Sequence, residues 1–180
     1  MKGIVFTEFF DMVESIYDIN MIDTIIDSCD LKNNGAYTSV GTYDGGELLQ
    51  LVTALSKQAD VPVQDLVYAY GHHLFGRFYQ LMPQFFETPK NTFDFLKTVD
   101  DTIHVEVKKL YPDAELPTFK TVMDGTHKMI MTYQSQCPLA DFAHGLIMGC
   151  ADHFNEKIEI SYTDENTKGV YCRVFKLEKK

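Results

Sequence analysis

The spacing of apolar residues changes period about two thirds of the way along the chain, and that change limits the folds open to it. In the first part, apolar positions recur at intervals of three and four, as on one face of an α-helix. Phe6, Phe9, Val13, Ile16 and Tyr17 mark a first helix, and Met21, Ile22, Ile25 and Ile26 a second. Asp44 and Glu47 have the form of a capping box ahead of Leu48, Leu51, Val52 and Leu55. Pro62 suits the first turn of a helix through Leu66, Ala69, Tyr70 and Leu74. Asn91 or Thr92 is placed to cap a helix carrying Leu96, Val99, Ile103, Val107 and Leu110, which Pro112 ends.

From residue 116 the pattern alternates. Residues 116–122 and 128–135 flank Asp124-Gly125, a hairpin signal. A helix with Phe142, Leu146, Ile147, Cys150 and Phe154 follows. Residues 157–162 and 170–177 then form a second hairpin around Asp164-Glu165-Asn166. The expectation is an α+β fold: a helical subdomain, then a roughly four-stranded antiparallel sheet with a helix between its hairpins. There is no repeat or low-complexity tract. The loop at 30–46 is rich in Gly and Asn but too short for a boundary, so residues 1–180 read as a single domain.

Composition removes several function classes. A net charge of −10 argues against nucleic acid and anionic membranes, which attract basic surfaces. No apolar run approaches the ~20 residues of a membrane span, and Glu8 interrupts the short apolar start, so no signal peptide is read. Cys29, Cys137, Cys150 and Cys172 are irregularly spaced with no Cys-x-x-Cys, as in a cytoplasmic protein with reduced thiols. No Gly-rich phosphate loop, nucleophile–base pair or two-histidine metal helix is present, so the chain does not read as an enzyme. Asp100, Asp101 and Glu106 read as a solvated helix face, and the adjacent His72 and His73 do not share the i,i+4 spacing of paired ligands. Thirteen Phe and ten Tyr can surround a flat apolar cofactor or simply fill a core.

His104 is the candidate for chemistry. At about 100° per residue it lies roughly 100° off the centre of the stripe from Leu96 to Leu110, where it faces a second apolar volume or solvent. A lone histidine so placed is usually a satisfied or solvated imidazole.

Several stretches carry more information together. They are Met1-Lys2-Gly3-Ile4-Val5, Tyr70-Gly71-x-x-Leu74-Phe75 and His104 with Leu110-Tyr111-Pro112-Asp113 and Leu116-Pro117. Tyr133-Gln134-Ser135 and His144-Gly145-Leu146-Ile147-x-Gly149 complete the set. In that order they resemble the H-NOX (heme nitric oxide/oxygen binding) family of bacterial stand-alone type, related to the heme domain of soluble guanylate cyclase. The resemblance implies heme b between a helical distal subdomain and a proximal subdomain holding the sheet. It implies His104 as axial iron ligand, Pro117 against the porphyrin, and Tyr133 and Ser135 as hydrogen-bond donors to a heme propionate. Val5, Phe9, Leu74, Phe78 and Phe142 correspond to distal positions.

Two departures stand out. The arginine of the family's Tyr-x-Ser-x-Arg motif is Cys137 here, and a thiol cannot make a guanidinium's paired contact with a carboxylate. Arg77 or a lysine is left to compensate. The structural zinc site of some bacterial members lacks its ligand set, so none is expected. Phe142 stands where oxygen-binding members use a tyrosine, which points to NO and CO rather than O₂, unless Tyr70, His72 or His73 enters the pocket. The implied role is a gas sensor that binds nitric oxide at ferrous heme and signals by weakening or breaking the Fe–His104 bond. No catalytic domain follows residue 180, so its partner is expected to be a separate histidine kinase or cyclic-di-nucleotide enzyme. An O₂/NO carrier or scavenger, and a heme-free helical interaction module, stay open as alternatives at this level.

Overall fold

The computed structural model describes residues 1–180. Four helices come first: α1 (Ile4–Ile16), α2 (Ile19–Asp27), α3 (Gly45–Ala59) and α4 (Val63–Leu81). Their starts are set by local chemistry. The Asp18 carboxylate accepts from the Met21 amide at 3.0 Å and caps α2. Asp44 caps α3 by accepting from the Gly46 amide at 2.9 Å. The expected capping box is only half made, because Glu47 is buried and takes the Tyr37 hydroxyl at 2.6 Å instead of turning back. Pro62 is the residue before α4 rather than inside its first turn. The inward faces of these helices close a first core around Phe6, Phe9, Leu51, Leu55, Tyr70 and Leu74.

The segment carrying His104 is not one continuous α-helix. After a 3₁₀ turn at Pro83–Phe86 come α5 (Thr92–Thr98), a π turn over Val99–Ile103 and α6 (His104–Leu110). Asn91 is the cap, accepting from the Asp94 amide at 3.0 Å, whereas Thr92 is fully buried. In the π turn the His104 amide donates to the carbonyl of Val99, five residues back. One extra residue in a turn holds back all that follows by about 100°. His104 therefore takes the angular place that Ile103 would have had, in line with Leu96 and Val99. The regular stripe read from the sequence is broken at this point, and Leu110 at its end is 73% exposed.

Strands β1 (Thr118–Asp124) and β2 (Lys128–Ser135) form the first hairpin, and Gly125 adopts φ +71° in its turn. Helix α7 (Ala140–His153) follows, then β3 (Ile158–Asp164) and β4 (Tyr171–Lys179). The sheet is antiparallel in the order β1-β2-β4-β3, and α7 joins the two hairpins. A second core forms under it around Phe75, Phe95, Met129, Met131, Ile147 and Phe175. The α+β expectation holds.

Helices α4 and α7 link the two cores. Their backbones approach closely because both carry glycine at the crossing. A Cβ on Gly145 would lie 2.0 Å from the carbonyl oxygen of Tyr68, and one on Gly71 would lie 2.2 Å from that of Phe142. No helix is long and apolar enough to cross a membrane.

Candidate functional site

A cavity of about 950 Å³ opens between the two cores, with mostly apolar walls. From the helical side it is lined by Val5 on α1, Phe75 and Phe78 on α4, and Phe142 and Leu146 on α7. From the other side come His104 and Val107 on α6, Leu116 and Pro117 before β1, Phe119 on β1, and Met131, Tyr133 and Ser135 on β2. Strand alternation explains the last three, since residues two apart share a face.

Seven of the nine residues singled out from the sequence therefore meet at one cavity: His104, Pro117, Tyr133, Ser135, Val5, Phe78 and Phe142. The other two sit one layer back. Phe9 and Leu74 are fully buried in the helical core and do not line the cavity. Phe9 stands one turn from Val5 and Leu74 one turn from Phe78, on the same helix faces, so each packs directly beside a lining residue.

His104 is mostly buried, with a side-chain exposure of 17%. Its Nδ1 lies 3.1 Å from the Oδ1 of Asp100, and its ring is 5.8 Å from that of Phe119. Burial pushes the imidazole pKa below the ordinary histidine value, and Asp100 opposes that shift in part. The ring is thus neutral at pH 7, the form that ligates a metal. Nδ1 is engaged, so Nε2 is the nitrogen left for a ligand. Asp100, read from the sequence as part of a solvated face, is 35% exposed and in addition holds His104, while Asp101 is exposed and Glu106 pairs with Lys109 at 2.6 Å.

At the β2 end of the cavity the Tyr133 hydroxyl donates to the carbonyl of Cys137 at 3.2 Å, and the Cys137 amide donates to Ser135 Oγ at 3.0 Å. The Ser135 hydroxyl also lies against that of Tyr133, so the two form one polar pair at this end. Burial raises the Cys137 thiol pKa, so it carries no charge at pH 7. Arg77 is not the missing cation, because its guanidinium holds Glu8 at 2.5 Å. Arg173 is bound by Asp164 at 2.6 Å and Asp141 at 2.5 Å. The Lys and Arg side chains that do line the cavity are Lys2 and Lys108.

The three polar residues that could have compromised the apolar wall stay out of it. The Tyr70 hydroxyl donates to the Val5 carbonyl, His72 pairs with Asp152 at 2.7 Å, and neither these residues nor His73 lines the cavity. No group of three or more His, Cys, Asp or Glu side chains is arranged to hold a metal ion. A single imidazole in a largely apolar volume suits a macrocycle that brings its own four nitrogen ligands, not a bare ion.

A model of the haem-NO-binding family matches residues 2–162. The chain belongs to this family. Its structure is similar to that of the Fe(II) unliganded H-NOX protein from K. algicida, with a TM-score of 0.93 and 38% identity over 100% of this chain and 97% of that one. It is similar to the H-NOX from Shewanella woodyi in the Fe(II)CO state, with a TM-score of 0.84 and 42% identity over 100% and 95%. It is also similar to an H-NOX protein from S. oneidensis in the Fe(II)NO state, with a TM-score of 0.90 and 27% identity over 100% and 99%. No curated protein gave a significant match. As an H-NOX protein the chain takes heme b as cofactor and acts as a heme-based gas sensor rather than as an enzyme.

Sequence reasoning missed Asp100, Lys2, Lys108 and Phe119. Asp100 had a readable signal, a carboxylate four residues before the histidine. The others come from a loop-flanked terminus, a helix flank and a strand whose facing depends on tertiary packing.

Proposed function

We propose that residues 1–180 form a single domain that senses nitric oxide through His104 and reports to a separate protein. The observation that carries this reading is the buried imidazole of His104 on the wall of an otherwise apolar cavity between two cores. The match of the family model over most of the chain supports the domain limits.

When bound, heme supplies a ferrous iron with one face for the protein ligand and one for a diatomic gas. The residues present fit that group. His104 holds the iron through Nε2. Pro117 and Phe119 would lie against the group from the His104 side, and Val5, Phe78 and Phe142 would form the opposite wall. Ser135 and Tyr133 would donate their hydroxyls to a propionate, Tyr133 by releasing the Cys137 carbonyl. Lys2 or Lys108 supplies the positive charge that position 137 lacks. Val5, Phe78 and Phe142 offer no hydroxyl or imidazole donor, so they do nothing for the partial negative charge that O₂ acquires on iron. NO and CO need little such help, and the relatives solved with NO and with CO support them as the ligands.

The switch resides in the protein. With heme in place His104 would tie α6 to the cofactor and Pro117 would lie against it, so weakening of the tie by NO would free α6. Two arrangements of the cores about the α4–α7 seam then differ in energy according to the ligand, as a sensor requires. The partner is a histidine kinase or a cyclic-di-nucleotide enzyme, the classes that the family resemblance implies.

The test is the absorption spectrum of anaerobically reduced protein, alone, with NO, and in air. The expected result is histidine-ligated ferrous heme, loss of the histidine with NO, and no stable complex in air. His104→Gly should bind heme only when imidazole is supplied. Unchanged heme binding by that variant without imidazole would overturn the assignment, and a stable complex in air would reverse the choice of gas.

A further inference from the structure

We propose that Asp100 is a positioning residue that sets the strength of the bond between His104 and iron, and with it the readiness of the sensor to respond to NO. The proposal rests on the assignment of His104 as axial ligand. The geometry is direct: Asp100 Oδ1 lies 3.1 Å from His104 Nδ1. A carboxylate accepts hydrogen bonds and a neutral imidazole has one N–H, so the proton sits on Nδ1 and the lone pair on Nε2. Asp100 thereby selects the tautomer that can ligate.

Asp100 lies within the π turn and His104 directly follows it, and the i→i−5 bond from the His104 amide to the Val99 carbonyl fixes the backbone between them. The contact is built into the segment that turns His104 onto the cavity wall. No other side chain claims the carboxylate. Lys97 pairs with Asp94 at 3.8 Å and Lys109 with Glu106 at 2.6 Å, and no Lys or Arg stands within 4.0 Å of Asp100. Its charge therefore acts on the imidazole. The Asp100 side chain is 35% exposed, so water screens the effect in part.

An anionic acceptor behind a ligating imidazole draws on its N–H and makes the other nitrogen a better donor to metal, more than a neutral carbonyl does. The chain thus strengthens the bond that sensing must break. Asp100 adjusts how far NO shifts the balance between histidine-bound and histidine-free forms. No proton leaves the pair in either form.

The test uses heme-loaded protein. The iron–histidine stretching frequency of the ferrous form, read by resonance Raman, should fall in Asp100→Asn and further in Asp100→Ala. The ratio of histidine-free to histidine-bound NO complex should rise by about tenfold, the scale of losses when such outer partners are removed. Asp101→Asn, at the exposed neighbour, should leave both unchanged. If the Asp100 variants bind heme normally with unshifted frequency and ratio, the proposal fails while the axial assignment stands. If wild type shows no iron–histidine stretch, the axial assignment itself fails. Should the variants not fold, the wild-type CO complex decides: ¹⁵N–¹H spectra should place a proton on His104 Nδ1 that exchanges slowly with water. A proton in rapid exchange would overturn the proposal.

Discussion

In the helical core, α3 turns Leu48, Leu51, Val52 and Leu55 inward, all nearly inaccessible to water, and Asp44 caps it. On the far side of the cavity, α6 is seven residues long, has the His104 side chain largely shielded from water but no fully buried residue, and has no side-chain cap. Val105 on α6 is 44% exposed and Leu110 73%. The first region is a frame, anchored by apolar burial and by the Tyr70 hydroxyl on the Val5 carbonyl. The second is held by the Asp100–His104 contact, by its continuity with α5 and by what fills the cavity. Low local stability is what a moving element requires, and a packed frame is what it moves against. The contrast places the sensing element where the packing is thinnest.

The largest test of this contrast is stability. Leu51→Ala removes a side chain with no exposure and should cost about 2–5 kcal/mol. Val105→Ala should change stability by less than about 0.5 kcal/mol, since lost contacts are few and alanine favours helix. Urea unfolding of the heme-loaded protein measures both. Equal losses would mean that α6 is packed as tightly as the frame, and the account of a loosely held proximal helix would fall.

The same difference explains what could be read in advance. The helical core was legible because its apolar residues follow an unbroken 3.6-residue period, and the hairpins because Gly125 marks a tight turn between alternating segments. The Asp44 cap was legible, but not its failure to pair with Glu47, which depends on Tyr37 arriving from a loop. The His104 segment was misread as continuous helix because a π turn has no side-chain signature: it appears only once the His104 amide reaches Val99. That shift also converted Asp100 from a presumed solvated residue into a partner of the ligand. The resemblance puts Phe9 and Leu74 at distal positions, and in the structure they pack in the helical core beside Val5 and Phe78. The seven residues that do converge come from α1, α4, α6, α7, β2 and the segment before β1, and only the resemblance joined them.

The distal wall supplies the next test. Phe142 lines the cavity and packs 5.3 Å from the Tyr70 ring, whose hydroxyl is already committed. Phe142→Tyr adds a donor on the gas side with little change in volume. A hydrogen bond to a charged acceptor contributes about 1.5–3 kcal/mol, so O₂ affinity should rise roughly tenfold to a hundredfold. Oxygen titration of the ferrous protein reads this. An unchanged affinity would mean that position 142 does not face the gas, and that the apolar wall alone does not explain selection against O₂.

The smallest expected effect concerns the propionate end, where the two regions meet. Lys2 Nζ donates to Thr42 Oγ1 at 2.7 Å and sits 4.1 Å from the centre of the Tyr111 ring. That leaves its charge without a carboxylate in direct contact, unlike Arg77 and Arg173. If Lys2 replaces the motif arginine, Lys2→Ala should speed heme loss about threefold, the modest effect of a partly solvated ion pair. The difference between the two proteins should shrink at high salt, as screening removes the interaction from both. Cys137→Arg should slow heme loss and should rescue Lys2→Ala, because either cation meets the same carboxylate. The Cys137 sulfur lies only 3.0 Å from where a Cβ on Gly45 would stand, so a guanidinium must extend toward the cavity rather than into α3. Heme transfer to an excess of an apo-heme acceptor gives the rates. If Lys2→Ala has no effect and Lys108→Ala does, the compensating charge belongs to α6, and the tie between cofactor and moving helix is then made at two points instead of one.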